Sequence, residues 1–423
     1  MPELLVRGGR RLEGEINIQG SKNSALPIIA ASIMTDETTV IENCPDISDV
    51  REMLGILTDI GCDCVFRDGL VTIRPLNIEG APDSVRCSKI RASSILMGAL
   101  LGSAGYFAMP YPGGCNIGKR PLDYHINGFK ALGAVIEEKD GLIVGCRGNL
   151  TGGNYTFTYP SVGAIENIIL AASRADGVTE LENCAREPEI CDLCDFLLHM
   201  GADIKGAGSD KIVIRGVKKL HGVRYRIPGD RIVAGTYMAC CACAGGNIKI
   251  SGISPERMKN ITRVFSNAGC SVFTDVKNSE IVFMCDNRCH SVGHITAGPY
   301  PGFPTDMQSQ IMSVASCMTG ICVIEDRVFE NRFAVAGELV RMGADIRVNN
   351  GMAYICGVER LHGASVTATD LRGGAALVTA ASGASGETVI YGCNYIRRGY
   401  EDIQRDLTIL GADIKWQQEE KEK

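Results

Sequence analysis

The chain has 423 residues, 45% of them hydrophobic and 22% charged, the profile of a folded protein long enough for two cores. Its net charge of −6 excludes a global positive field for nucleic acid or an anionic membrane, so any anion site must be a local cluster of cations. Nineteen cysteines without a disulfide rhythm, no apolar signal core at the N-terminus and no clean stretch of 18 apolar residues point to a protein of the reducing cytosol.

In chain order, the N-terminal LLVRGGRRLEGEINIQGSKN reads as two strands that lead into a small, apolar helix, SKNSALPIIAASIMTD. An amphipathic helix then runs into a glycine and a strand, LTDIGCDCVF at Gly61. The same phrase returns as FKALGAVIEE at Gly133, LLHMGADIKG at Gly201, FSNAGCSVFT at Gly269, LVRMGADIRV at Gly343 and LTILGADIKW at Gly411. The period is about 70 residues, long enough for several strands and helices per repeat. Between these phrases the apolar helix returns as SKIRASSILMGALLGSAG, SVGAIENIILAASRADG, GDRIVAGTYMACCACAGG, TDMQSQIMSVASCMTG and DLRGGAALVTAASGASG. A helix without a polar face is buried on all sides. Each unit is therefore expected to be strand, amphipathic helix, strand hairpin and buried helix. The sixth unit stops at Trp416, and the N-terminal strands, which align with IVIRGVKKLHGVRYRIPGDR and YICGVERLHGASVTATDLR, supply its missing half. The expected fold is α/β (α+β), with two domains of three repeats each around buried helices. Residues 22–229 form the first domain, and 1–21 plus 230–423 the second. The active site is expected in the cleft between them, with the two chain crossings as a hinge.

The starts of the buried helices carry Lys22 and Asn23, Arg91, Ser161 to Gly163, Asp230 and Arg231, Asp306, and Asp370 with Arg372. Unpaired N–H groups at a helix start attract anions. Ser and Asp there are also ordinary N-caps, whereas Lys22 and Arg372 oppose the helix dipole and need a compensating anion. A glycine-rich stretch around Cys115, followed by Lys119, Arg120, Pro121, Asp123 and His125, reads as a mobile lid whose cations favour a thiolate. A third cluster holds Asn331-Arg332, Asp370 with Arg372, and Arg397-Arg398. Cys191 and Cys194 lack a second pair, and Cys285, Cys289 and His290 offer three local ligands, so no metal is expected. Neither a GxxxxGK[ST] loop nor a GxGxxG after a strand supports a nucleotide-hydrolysis or dinucleotide reading.

Taken together, PGGCNIGKRP, GSKNSALP, YPSVGAIEN, REPEI, GDRI, FPTDMQ, VFENRF, DLRGGAAL and RRGYE resemble the UDP-N-acetylglucosamine 1-carboxyvinyltransferase family, from about residue 3 to 416. The resemblance implies the inside-out enolpyruvyl transferase fold. It also implies transfer of enolpyruvyl from phosphoenolpyruvate to the sugar 3-hydroxyl, with release of phosphate, at the opening of peptidoglycan synthesis. It places Lys22, Arg120 and Arg398 at the donor phosphate, and Arg332 and Arg372 toward its carboxylate. Cys115 becomes the acid and Asp306 the base. The nucleotide sugar falls to Asn23, Arg91, Pro121, Asp123, His125, Ser161, Val162, Gly163, Glu189, Asp306 and Val328, with Arg231 and Asp370 near the site. Tyr159-Pro160 departs from members that carry lysine before this serine, which puts one diphosphate contact in doubt. No cofactor, nucleic acid or membrane is implied, and a cytoplasmic monomer is expected. The rival readings are 5-enolpyruvylshikimate-3-phosphate synthase, RNA 3′-phosphate cyclase and a non-catalytic nucleotide-sugar-binding paralogue.

Overall fold

A computed structural model describes residues 3–113, 118 and 121–417. Cys115, Lys119 and Arg120 lie outside the described residues. The chain divides into two compact units, one lying within Gly20–Pro228 and the other holding the described residues up to Gln19 and from Gly229 onward.

The recurring glycines explain the repeat. Gly61, Gly133, Gly201, Gly269, Gly343 and Gly411 all take φ between +92° and +103°, just beyond the end of an amphipathic helix. That conformation is open to glycine and strained for a residue with a Cβ. It turns the chain from each helix directly into a strand.

In the first unit the buried helices are Lys22–Ala31, Leu96–Ser103 and Val162–Ala172. Leu96–Ser103 packs on both others. Its approach to the third is close: a Cβ on Gly98 would stand 2.2 Å from the Asn167 carbonyl oxygen. In the second unit Arg231–Ala244, Gln308–Ala315 and Leu371–Gly383 pack on one another. All 13 residues of Leu371–Gly383 are buried. Each unit encloses its own core.

Two features differ from the expected unit. First, a short strand precedes most buried helices and pairs in parallel with a strand of another repeat. Asn154–Thr156 pairs with Val178–Glu182, Arg224–Arg226 with Thr39–Glu42, and Leu12–Asn17 with Gly246–Ser251. His294–Ala297 pairs with Ile321–Asp326, and Ser365–Thr367 with Glu387–Tyr391. These added strands tie each repeat to a neighbour. Within the second unit they close a ring, because Leu12–Asn17 ends the sixth repeat and joins the fourth. Second, two buried helices open as 3-10 turns, Arg91–Ile95 and Thr305–Met307. In the first of these, the hydroxyls of Ser93 and Ser94 donate to nearby carbonyls, which competes with regular helix.

The strand Glu3–Arg7 completes the sixth repeat by pairing with both Glu387–Tyr391 and Asp413–Gln417.

Candidate active site

In the first unit, Lys22 is the first residue of its helix, capped by the hydroxyl of Ser21. Its ammonium lies 2.7 Å from the carboxylate of Asp49, and both side chains are nearly buried. Asp49 is thus the compensating anion that a lysine at a helix start requires. It sits in the first turn of Ser48–Asp59, and sequence reasoning did not single it out. Asn23 follows on the same helix, half-buried.

His125 is buried on Asp123–Ala131, and Arg91 is close enough to act on it. Burial, and then the Arg91 cation, pull the His125 pKa down to about 3, so the ring is neutral at pH 7. Its tautomer follows from Asn167. The Asn167 Oδ1 accepts from the Gly98 N–H at 2.6 Å, so the amide nitrogen faces His125 Nδ1 at 2.9 Å. Nδ1 is then the acceptor and Nε2 carries the proton. That ring edge lies against Gly163, where a Cβ would come within 3.6 Å of Cε1. Gly163 belongs to the first turn of Val162–Ala172, and Ser161 is its N-cap by position although its hydroxyl makes no capping bond. Asn167 is a second residue that sequence reasoning missed, although it ends the YPSVGAIEN motif.

Glu189 is buried in the first turn of Pro188–His199. It stands near the buried Glu166, whose carboxyl is pushed well above its ordinary range by burial and then by Glu189 and Glu187. Pro121 and Asp123 are exposed.

In the second unit the structure brings Asp306, Arg332 and Arg372 together. Arg332 Nη2 donates to one Asp306 oxygen at 2.9 Å, and Arg372 Nη2 to the other at 2.8 Å. Both arginine side chains are about 4% exposed, while Asp306 is 23% exposed. The arginines expected at a donor carboxylate thus hold Asp306 in this structure. Arg332 also donates to the Thr305 hydroxyl, which donates in turn to Asp326. Asp326 accepts from the backbone N–H groups of Val328 and Phe329, so it fixes the VFENRF turn that carries Arg332. Arg332 further stacks over the Phe329 ring at 5.0 Å. Burial opposes the charge on Arg372, but Asp306, Tyr400 and Asp230 together outweigh it and raise the pKa. Among the described residues, Nε of Arg332 and Nη1 of Arg372 have no hydrogen-bond partner although both are buried. Two guanidinium groups on one carboxylate therefore leave surplus donors, the requirement of an oxyanion site.

The flanking carboxylates have other work. Asp370 accepts from the N–H groups of Arg372 and Gly373, and Asp230 from those of Ile232 and Val233. Both are ordinary N-caps, and Asp370 orients the helix start that presents Arg372. Arg231 is buried at the start of the helix that Asp230 caps. Tyr400 is buried, with its hydroxyl 2.8 Å from that of Thr236 and near enough to Arg372 to feel its charge. Arg398 ends the turn Cys393–Arg398, half-buried, whereas Arg397 is exposed and stacks over Trp416. Val328 is half-buried. Thr305 and Asp326 were not legible as site residues, although both lie within or next to motifs that carry the resemblance.

Residues 6–407 match the family model described as EPSP synthase (3-phosphoshikimate 1-carboxyvinyltransferase). The chain is 46% identical to UDP-N-acetylglucosamine 1-carboxyvinyltransferase 2 of Caldanaerobacter subterraneus over 98% of this chain and 99% of that one. It is 43% identical to the UDP-N-acetylglucosamine 1-carboxyvinyltransferase of Kosmotoga olearia over 99% and 100%. Among solved structures, it is similar to the enolpyruvyl transferase NikO of Streptomyces tendae, with TM-score 0.87 and 25% identity over 98% of each chain. EPSP synthase of Acinetobacter baumannii shares the fold, with TM-score 0.76 and 20% identity over 99% and 100%.

Proposed function

Because the chain belongs to the UDP-N-acetylglucosamine 1-carboxyvinyltransferase family, we propose that it moves the enolpyruvyl group of phosphoenolpyruvate to the 3-hydroxyl of UDP-N-acetylglucosamine and releases phosphate. The product serves peptidoglycan synthesis. Shikimate 3-phosphate is set aside as acceptor, since the EPSP synthase structure is 20% identical while relatives at 43% and 46% identity carry the other name.

The observation that carries the chemistry is the carboxylate of Asp306 held between two buried guanidinium groups. Addition of the sugar hydroxyl to C2 of the donor needs a base for the hydroxyl proton and an acid for C3. Asp306 takes the first role, because its carboxylate is fixed in orientation yet partly exposed. A carboxylate has about four lone-pair directions, so two guanidinium contacts leave room for a hydroxyl. Cys115 takes the second role. Loss of the C3 proton and departure of phosphate from C2 then leave the enol ether.

Lys22, Arg120 and Arg398 bind the phosphate, and Arg332 and Arg372 offer their remaining donors to the carboxylate. Asn23, Arg91, Pro121, Asp123, Ser161, Val162, Gly163, Glu189, Arg231, Val328 and Asp370 serve or support the nucleotide sugar. His125 offers it a neutral Nε2–H donor. No helix among the described residues is long and apolar enough to cross a membrane. Phosphorylated, freely diffusing substrates fit a cytoplasmic enzyme, and we take it to act as a monomer.

Steady-state kinetics of two variants test the assignment. Lys22→Gln should raise KM for phosphoenolpyruvate, and His125→Gln should raise KM for the nucleotide sugar. A reversed pattern would overturn these roles.

A further inference from the structure

At the far end of the second unit's buried helices from Asp306 lies a pocket of 270 Å³. Its wall includes Ala242 to Ala244, Val314 with Cys317, and Gly383, the C-terminal ends of the three helices. Carbonyl-rich helix ends favour a cation. Into this wall project Cys285 and Cys289, and behind them stands Cys270. The Cys270 and Cys289 sulfurs are 3.5 Å apart, and those of Cys285 and Cys289 3.7 Å. All three thiols are buried, and their sulfurs lie within 4.8 Å of one another.

The backbone around them is held by hydrogen bonds. Cys270 follows Gly269 at the end of Pro255–Asn267, with its N–H on the Phe265 carbonyl. Cys285 ends the strand Glu280–Cys285, in register with Gly246. Cys289 accepts from the Thr319 N–H, and the next residue, His290, donates to Ala268.

The internal repeats show that the fold does not call for these thiols. His362 and Glu13 donate to Met342 and Leu410 as His290 does to Ala268. Gly357 and Gly8 donate to Gly320 and Gly386, in the place where Cys285 pairs with Gly246. The sister positions of Cys270, Cys285 and Cys289 are therefore Ala344, Gly357 and Leu361 in one repeat, and Ala412, Gly8 and Leu12 in the other. One repeat of this unit has replaced Ala, Gly and Leu by cysteine at all three convergent positions.

We propose that Cys270, Cys285 and Cys289 form a three-thiolate site for a soft d10 cation of the zinc class, with its fourth position open to the pocket. Zinc–sulfur bonds of about 2.3 Å in a tetrahedron set sulfurs about 3.8 Å apart, close to the spacing present. Loading releases the thiol protons to solvent, up to three per ion, and leaves a divalent ion in a monoanionic cluster. Three arginines on the pocket wall, Arg11, Arg288 and Arg360, against Asp286 and Glu359, supply balancing charge. The spacing of Cys285 and Cys289 alone could not show this site, because the third ligand comes from the preceding helix end.

The test uses the reduced, full-length protein without oxygen, titrated with Cd2+ and followed by ultraviolet thiolate-to-metal absorption, then challenged with Zn2+. The wild-type protein should bind one ion tightly, with an absorption of three thiolates that Zn2+ abolishes. Cys270→Ala with Cys289→Leu, which installs residues the sister repeats already accommodate, should weaken binding on the order of 100-fold or more. Cys146→Ser with Cys356→Ser, at exposed thiols, should leave it unchanged. Equal binding by the Ala/Leu variant, or no saturable binding by the wild type, would overturn the proposal. The readout is independent of enolpyruvyl transfer, so either claim can fail alone.

Discussion

Replacing Asp306 by Ala removes the carboxylate shared by Arg332 and Arg372, both about 4% exposed. Breaking a buried ion pair costs about 3–5 kcal/mol, because the remaining charge stays buried. The two pairs share one carboxylate that is 23% exposed, and Arg332 keeps its bond to Thr305, so the lower figure applies. A loss of about 3 kcal/mol in a unit of this size lowers Tm by roughly 6–12 °C. It leaves the unit folded, and the same change removes the base, so turnover should fall by ~100-fold or more. Asp306→Asn keeps the shape without the charge and should show both effects. Calorimetry and a phosphate-release assay read the two consequences separately. An unchanged or raised Tm would refute the reasoning about the buried arginines, and near-normal turnover would remove Asp306 from the mechanism.

The remaining predictions concern other groups. Lys22→Gln removes the ion pair with the buried Asp49 and should lower stability in denaturant unfolding, beyond its effect on donor binding. His125 has a folded pKa of about 3 against an ordinary 6.5, so between these values the unfolded chain binds the extra proton. Its contribution to stability is present above pH 6.5 and is lost as pH falls toward 3, by up to ~1.4 kcal/mol per pH unit. Tm of His125→Gln should therefore fall less steeply than wild type between pH 6 and pH 4, and parallel curves would contradict the buried neutral ring. Fosfomycin, a phosphonate epoxide that mimics the donor's charges, should alkylate Cys115 and do so faster with UDP-N-acetylglucosamine present. Peptide mass spectrometry should find one adduct, absent from Cys115→Asp, and labelling spread over several cysteines would defeat the assignment.

Much of the architecture was legible because it repeats. Six glycines at one period mark the six helix ends, and uniformly apolar helices can only be interior. Most of the parallel strands that link the repeats, Leu12–Asn17 excepted, escaped notice for a physical reason. Asn154–Thr156, Arg224–Arg226 and Ser365–Thr367 are three residues long, too short for an alternating pattern to stand out. The candidate site divides in the same way. Asp306, Arg332 and Arg372 each sit in a contiguous motif, so all three could be named before their contacts were known. Asp49 lies one helix away from Lys22, and Cys270 a hairpin away from Cys285. Such partners are set by tertiary contact, which local spacing does not record.

The most direct test of the central claim is phosphate release from phosphoenolpyruvate by the purified chain, with UDP-N-acetylglucosamine compared against shikimate 3-phosphate. Release that depends on the nucleotide sugar, stays at background with shikimate 3-phosphate and yields the enolpyruvyl nucleotide sugar is the predicted result. Release with shikimate 3-phosphate instead, or tight binding of the nucleotide sugar with no release at all, would contradict it.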